Sequence, residues 1–339
     1  MKQLVNCLRF YSYAAIILSL TAFMASCSPV SSGNEQAIVL SDRLRLRSST
    51  AQAARVVGEL RSGDQVTVTD HANAEDGENW SQVKGPKGES GWIKSQNLVK
   101  REIVDKSRQI AADIKDIPTQ AIGRSNAKLN LRLSPDRSDD DNVATSLPPA
   151  TRLEIVARER KPRPARIEGK GEAKEESEAN VKYDNWYEVR LRDDAVLPAG
   201  WIYGDSVELE IPPEIFYFVS SGRKIIGWQR IGPGAGGDGS GANFLALERK
   251  NFGADEGVDF DRVKVVAYDP ASRDYVTPFR EDIAGRFPVT VKMDGARGYF
   301  QIIAVDKNGQ TQKLTYRVEV LEGGKVRVSK PVNAAQSRH

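Results

Sequence analysis

Cysteine and histidine are almost missing from this 339-residue chain: it holds two of each, Cys7 and Cys27, His71 and His339. So small a stock excludes a disulfide framework, a multi-histidine zinc site and a Cys/His nucleophile. His71 falls in a stretch expected to be a loop and His339 is the last residue, so a Ser/His nucleophile is set aside as well. An excess of charge of one sign is also missing. The 49 Lys and Arg nearly balance 46 Asp and Glu, which leaves no general field for nucleic acid or an anionic membrane. Gly232–Gly241 is rich in glycine but lacks the Gly-Lys-Ser/Thr ending of a phosphate-binding loop, and it reads as a flexible loop. Asp255–Asp261 carries four acids without the Asp-x-Asp-x-Asp-Gly order of a calcium loop. The expectation is a chain with no metal, no cofactor and no catalytic activity.

Long apolar runs are missing beyond residue 27, and the one before it is short. Residues 1–26 carry Lys2 and Arg9, no acid, and an apolar run from Tyr13 to Phe23. That run is too short for a permanent bilayer span. It ends in Met24-Ala25-Ser26-Cys27, which resembles the lipobox of bacterial lipoproteins. The reading is a signal peptide over 1–26 and lipidation (palmitate included) of Cys27 as the new N-terminus. A lone near-terminal cysteine in an exported chain is then accounted for. The membrane contact expected is this lipid anchor only, in a bacterial cell membrane or outer membrane, facing the periplasm or the cell surface. Ser28 after the cysteine fits outer-membrane sorting by resemblance to enteric lipoproteins.

What is present is a repeat. After a polar tether (27–37), Leu44-Arg45-Leu46-Arg47 recurs as Leu129-Asn130-Leu131-Arg132. Val56, Leu60 and Val66 recur as Val143, Leu147 and Leu153. Asn79-Trp80-Ser81-Gln82-Val83 recurs as Asn185-Trp186-Tyr187-Glu188-Val189, and Gly91-Trp92-Ile93 as Gly200-Trp201-Ile202. Period-two alternation at Leu44/Leu46, Val66/Val68 and Leu153/Ile155 marks half-buried strands, so each repeat is a small all-β barrel. The first covers 38–100 and the second 125–210, with Ala150 in the second where the first has Gly63. The linker 101–124 carries Ile103, Ile110, Ile114 and Ile117 at helical spacing, a short amphipathic helix ended by Pro118. Residues 157–182 begin basic, end acidic and hold almost nothing apolar, so they are expected to form a disordered arm.

The order Leu-x-Leu-Arg-x-Ser, a Gly turn, Trp-x-x-Val and Gly-Trp-Ile resembles the bacterial SH3-type (SH3b) module. That resemblance implies two SH3-like barrels and, for function, binding of cell-wall peptidoglycan or its peptide stems. Residues three apart on a strand face opposite sides. With Val83 and Val189 inside, Trp80 and Trp186 are expected outside, either as ligand platforms or as caps under a loop. The second repeat is richer in aromatics, so Trp186 is the expected accessible ring, with Tyr183 at the rim, Tyr203 beside it, and Trp80 as a weaker counterpart. Trp92 and Trp201 are assigned to packing.

Residues 214–330 show a third run of strands, at Ile225–Ile231, Phe244–Leu247, Val263–Tyr268, Val289–Val291, Tyr299–Val305, Leu314–Leu321 and Val326–Val328. An Asn308-Gly309 hairpin turn and a vague immunoglobulin likeness point to an antiparallel β-sandwich-like domain, with 331–339 a disordered tail. The chain is therefore expected to be all-β and a non-catalytic binder of the cell wall. Two alternatives are a protein–protein scaffold gripping through a bare sheet edge of 214–330, and a hydrolase with paired carboxylates there.

Overall fold

The computed structural model describes residues 35–74, 77–163, 183–232, 241–250 and 257–330. The signal, Cys27, the core of the charged insertion (164–182), most of the glycine-rich loop (233–240), part of the acidic turn (251–256) and the tail (331–339) lie outside the described residues. Among the described residues, no helix is long and apolar enough to cross a membrane. The chain divides into two compact units, 1–97 and 98–339.

The first unit is one barrel of short strands: β1 (Glu35–Val39), β2 (Leu44–Arg47), β3 (Val56–Leu60), β4 (Gln65–Asn73), β5 (Asn79–Lys84) and β6 (Ser90–Lys94). Their hydrogen-bonded order is β3-β2-β6-β5-β4-β1. Alternate residues turn inward, so Leu46, Leu60, Val66, Val83 and Ile93 meet in a dry centre. A 3₁₀ turn, Ser95–Asn97, closes the unit.

The second unit opens with β7 (Leu98–Lys100) and runs into helix α1 (Arg101–Asp113). Then come β8 (Ala121–Ser125), β9 (Leu129–Arg132), β10 (Val143–Leu147), β11 (Arg152–Pro162), β12 (Tyr183–Arg190), β13 (Ala199–Tyr203) and β14 (Val207–Leu209). Their order, β10-β9-β13-β12-β11-β8-β14, repeats that of the first barrel with β8–β13 in the places of β1–β6. Leu131, Leu153 and Val189 are buried like Leu46, Val66 and Val83. Ala150 adopts the left-handed φ of 62° that Gly63, with φ 86°, holds in the first barrel. The turn geometry is kept although the residue suited to it is not.

The first strand of each barrel begins before the boundary expected from sequence, β1 starting in the tether and β8 in the linker. Both are short and gain order only by pairing with β4 and β11. Helix α1 carries Ile110, Ala111 and Ile114 onto Val156 and Ala199 of the second barrel. Its centre is Ser107 rather than an isoleucine. The Ser107 hydroxyl donates to the Ala199 carbonyl at 2.6 Å, so a polar residue is buried without loss.

The expected disordered arm is corrected at its base. β11 continues through Pro162, paired from Ala157↔Glu188 to Pro162↔Tyr183. The charged residues hide the strand pattern, and neighbours satisfy them: Arg158 is paired to Asp259 and Arg163 to Asp184.

Two four-stranded antiparallel sheets complete the chain. One is β15 (Lys224–Ile231), β16 (Asn243–Arg249), β17 (Arg262–Asp269) and β18 (Asp274–Glu281) in that order. The other is β19 (Gly285–Asp294), β20 (Arg297–Val305), β21 (Thr311–Val320) and β22 (Val326–Ser329). Leu245, Val263 and Val265 of the first sheet pack on Val289, Phe300 and Tyr316 of the second in one shared core, which makes a β-sandwich. The strand pattern missed β18, whose Pro278 interrupts it; proline is tolerated there because β18 is an edge. At the 306–310 turn only the glycine of the Asn-Gly pair takes positive φ (Gly309, 75°). The Asp306 amide donates to Gln310 O, closing the hairpin at the Asp306–Gly309 turn expected from sequence.

Barrel two and the sandwich are joined by Gln120, which is fully buried. Its Oε1 accepts from Val289 N at 2.7 Å, its Nε2 donates to Val289 O at 3.0 Å, and its backbone carbonyl accepts from Trp228 N at 2.7 Å. A glutamine side chain thus imitates a peptide group in an extra rung of β19.

Candidate binding cleft

The two barrels offer the same positions for a site and use them differently. In the first, β5 places Trp80 opposite Lys94 of β6 and Ala72 of β4. Arg47 stands at the end of β2, where the chain leaves the sheet for the loop 48–55. That loop is pinned by the Ser48 amide donating to Arg55 O at 3.0 Å. Between loop and strands lies a cleft of about 740 Å³ lined by Arg47, Ser49, Gln52, Asn73, Trp80 and Lys94, among others. The Arg47 guanidinium sits 5.9 Å over the Trp80 ring, and its Nη1 donates to Gln52 O at 3.0 Å. Lys94 is balanced by Glu78 at 2.9 Å. The expectation of an outward Trp80 is corrected: it is 6% exposed beneath Arg47, and its buried Nε1–H has no partner among the described residues.

In the second barrel the equivalent tryptophan does not stand clear. Trp186 is 2% exposed, and the expectation of an accessible ring is corrected. Strand parity turns it away from Val189, but the side it turns to is covered. Tyr203, across the ladder, meets its ring edge-on at 6.0 Å. Arg137, from the loop after β9, lies 5.4 Å over Tyr203 and donates to Asp184 at 3.2 Å. Arg163 donates to Asp184 at 2.8 Å and to the Tyr203 hydroxyl at 3.4 Å. Asp184 is 1% exposed beneath these two guanidiniums, and it holds the Arg163 guanidinium above the usual arginine range. Burial, reinforced by a hydrogen bond to Asp205, pushes the Tyr203 phenol up. Tyr183, 37% exposed, is at the rim as expected, with Arg160 5.0 Å over its ring. The four aromatics named from sequence therefore divide: Tyr203 and Trp186 pack together, Tyr183 stands exposed under Arg160, and Trp80 lines the cleft of the other barrel. Trp92 and Trp201 are half-buried on their strands.

His71 was expected in a loop and lies in β4 instead, its Nδ1 3.3 Å from Ser81 Oγ, which is 2.7 Å from Ser95 Oγ. Ser81 is buried, so this chain of hydrogen bonds ties β4, β5 and the 3₁₀ turn together and presents no nucleophile at the surface. The second barrel replaces it with Tyr187 and Arg158. A side chain at Gly204, the counterpart of Ser95, would bring its Cβ within 3.0 Å of the Tyr187 ring. Arg158 reaches across to Asp259 of the sandwich at 3.2 Å. Burial pushes the Asp259 carboxyl up, against the pull of the Phe287 amide and Arg158. The face that carries His71 in the first barrel thus carries an inter-domain joint in the second. Among the described residues no group of His, Cys, Asp or Glu is arranged to hold a metal ion.

Comparison with known proteins agrees with the architecture of the first unit. No curated protein matches the chain. Among solved structures, NlpC2 from Trichomonas vaginalis is similar at 11% identity over 51% of this chain and 47% of that one, with a TM-score of 0.17. This chain thus spans about half the length of that protein. NlpC1 from the same organism is similar at 11% identity over 90% and 95%, also with a TM-score of 0.17. At that score neither likeness bears on the fold or the chemistry. The model of the bacterial SH3 domain family matches residues 42–99, which span β2 to β6 and include Arg47, Trp80 and Lys94. The barrel that holds the open cleft is a bacterial SH3 domain.

Proposed function

We propose that the chain is a lipid-anchored, non-catalytic binding protein of the bacterial cell envelope, and that its first barrel takes peptidoglycan or its peptide stems in the Trp80 cleft. The observation that carries this reading is the coincidence of a bacterial SH3 domain with an open, tryptophan-lined cleft in that domain. Concave sites with an aromatic wall and a few convergent polar groups are the usual form of a ligand site. The second barrel, with its own arginines over the matching position, serves as the platform on which the sandwich docks. The lipid at Cys27 would hold the protein at the membrane while the first barrel engages the wall.

The test is co-sedimentation of the full chain with purified sacculi. Ala51 lines the cleft and is exposed, so Ala51→Trp fills the site without touching the core. Wild type should pellet with sacculi and Ala51→Trp should remain in the supernatant. Equal pelleting would move the site elsewhere, and no pelleting by either would remove the wall as ligand.

The scaffold alternative needs a bare apolar sheet edge. The exposed edge β18 offers Val276 but is interrupted by Pro278, a combination that resists strand addition.

A further inference from the structure

We propose that the first cleft selects ligands bearing a free carboxylate and that Arg47 is the group that takes it, a specificity that rests on the cleft reading above. The two barrels differ at this position. Arg132 occupies in the second the place of Arg47 in the first, and its guanidinium has four acceptors from its own loop. It donates to Asn142 Oδ1 at 2.6 Å, to the carbonyls of Asp139 at 2.8 Å and Asp136 at 3.2 Å, and to the Asp140 carboxylate at 3.3 Å. The loop that follows Arg132 supplies all four acceptors, with Asp140 as the carboxylate, and carries four acids, Asp136, Asp139, Asp140 and Asp141.

The loop that follows Arg47, Ser48 to Arg55, contains no acid. Arg47 has one acceptor, the Gln52 carbonyl, and no carboxylate partner among the described residues. Its remaining N–H groups form a planar fork beside the Trp80 ring, a geometry that pairs two-to-two with a carboxylate. The rest of the lining points the same way. Lys94, held by Glu78, is a second cation on the lining. Among the described residues no acidic side chain lines the cleft. A cationic ligand would be repelled, and a neutral saccharide would leave the guanidinium unmatched. The second barrel supplies its arginine with a carboxylate from the loop after β9; among the described residues the first barrel supplies none, which suits a ligand that brings its own.

Binding of the full chain to a synthetic stem peptide, L-Ala–γ-D-Glu–L-Lys–D-Ala–D-Ala, tests this by calorimetry. The peptide is used with both carboxylates free, with each amidated singly, and with both amidated. The free acid should bind at least tenfold more tightly than the diamide, and the single amides identify which carboxylate Arg47 takes. Arg47→Gln should bind acid and diamide alike. Ala51→Asp, which keeps Arg47 and supplies an internal acid as the second barrel does, should also lose the preference. Circular dichroism confirms that both variants fold. Equal affinity of wild type for acid and diamide overturns the carboxylate assignment and leaves the cleft reading standing. Failure to bind any form of the peptide while sacculi are bound overturns the assignment in the same way, and failure to bind either overturns both.

Discussion

Gln120→Ala tests how the second barrel is fused to the sandwich. The wild-type side chain satisfies both the amide and the carbonyl of Val289 and donates to the Pro118 carbonyl at 2.6 Å, all in a fully buried setting. Alanine leaves the Val289 groups without partners where water has little access. Each orphaned buried group costs about 1–3 kcal/mol, so the pair alone predicts a loss of about 2–6 kcal/mol. Chemical denaturation of the full chain in urea reads this out. With a slope of about 2 kcal/mol/M, a loss near the middle of that range lowers the transition of the second unit by about 2 M. The transition of the first unit, which contains none of these residues, should not move. Gln120→Glu separates packing from hydrogen bonding: it fills the same volume but turns the Nε2 donor into an acceptor facing two carbonyls. It should be about as harmful as alanine near neutral pH. A loss below about 1 kcal/mol for alanine would mean that Val289 finds other partners and that the glutamine is not the joint.

Three further outcomes follow from other residues. Trp186→Ala removes a ring buried against Tyr203, so it should destabilise the second unit by about 3–5 kcal/mol in the same urea experiment and leave sacculus binding by surviving folded protein unchanged. Ala150→Gly relieves a left-handed φ of 62° and should raise the stability of that unit by about 1 kcal/mol; a decrease would show the turn to be unstrained. The Glu188 carboxyl is pushed up by burial and then by Glu159 and Asp113. A folded-state value above the unfolded one contributes stability that is present below the unfolded value and lost as pH rises through the folded one. Glu188→Gln should therefore melt higher than wild type at pH 7, with the gap closing as pH falls towards 4, and a gap that widens on acidification would reverse the sign.

Much of the fold was legible because strand alternation survives wherever one face is apolar. Leu46/Leu131, Val66/Leu153 and Val83/Val189 were paired from sequence, and all six are buried. β18 and the outer half of β11 escaped notice because their side chains are charged or interrupted by proline, so pairing partners rather than pattern hold them in place. The residue types of the candidate site were legible, but the accessibility of the Trp186 ring was not. Strand parity tells which side of a sheet Trp186 takes; it does not tell that Tyr203 and Arg137 will cover that side. The signal that separates the barrels was present in the loops, four aspartates after Arg132 and none after Arg47. Its meaning depends on both loops folding back over equivalent strands, which only the structure shows.

The most direct test of the cleft assignment is to follow the tryptophan indole N–H signals by ¹H–¹⁵N NMR while solubilised peptidoglycan fragments are added to the full chain. Trp80 lines the cleft and its Nε1–H has no partner among the described residues, whereas Trp186 is buried against Tyr203. The Trp80 signal should shift progressively and saturate, with the Trp186 signal unmoved. A saturating shift of Trp186 with Trp80 unaffected would place the ligand on the second barrel and contradict the account.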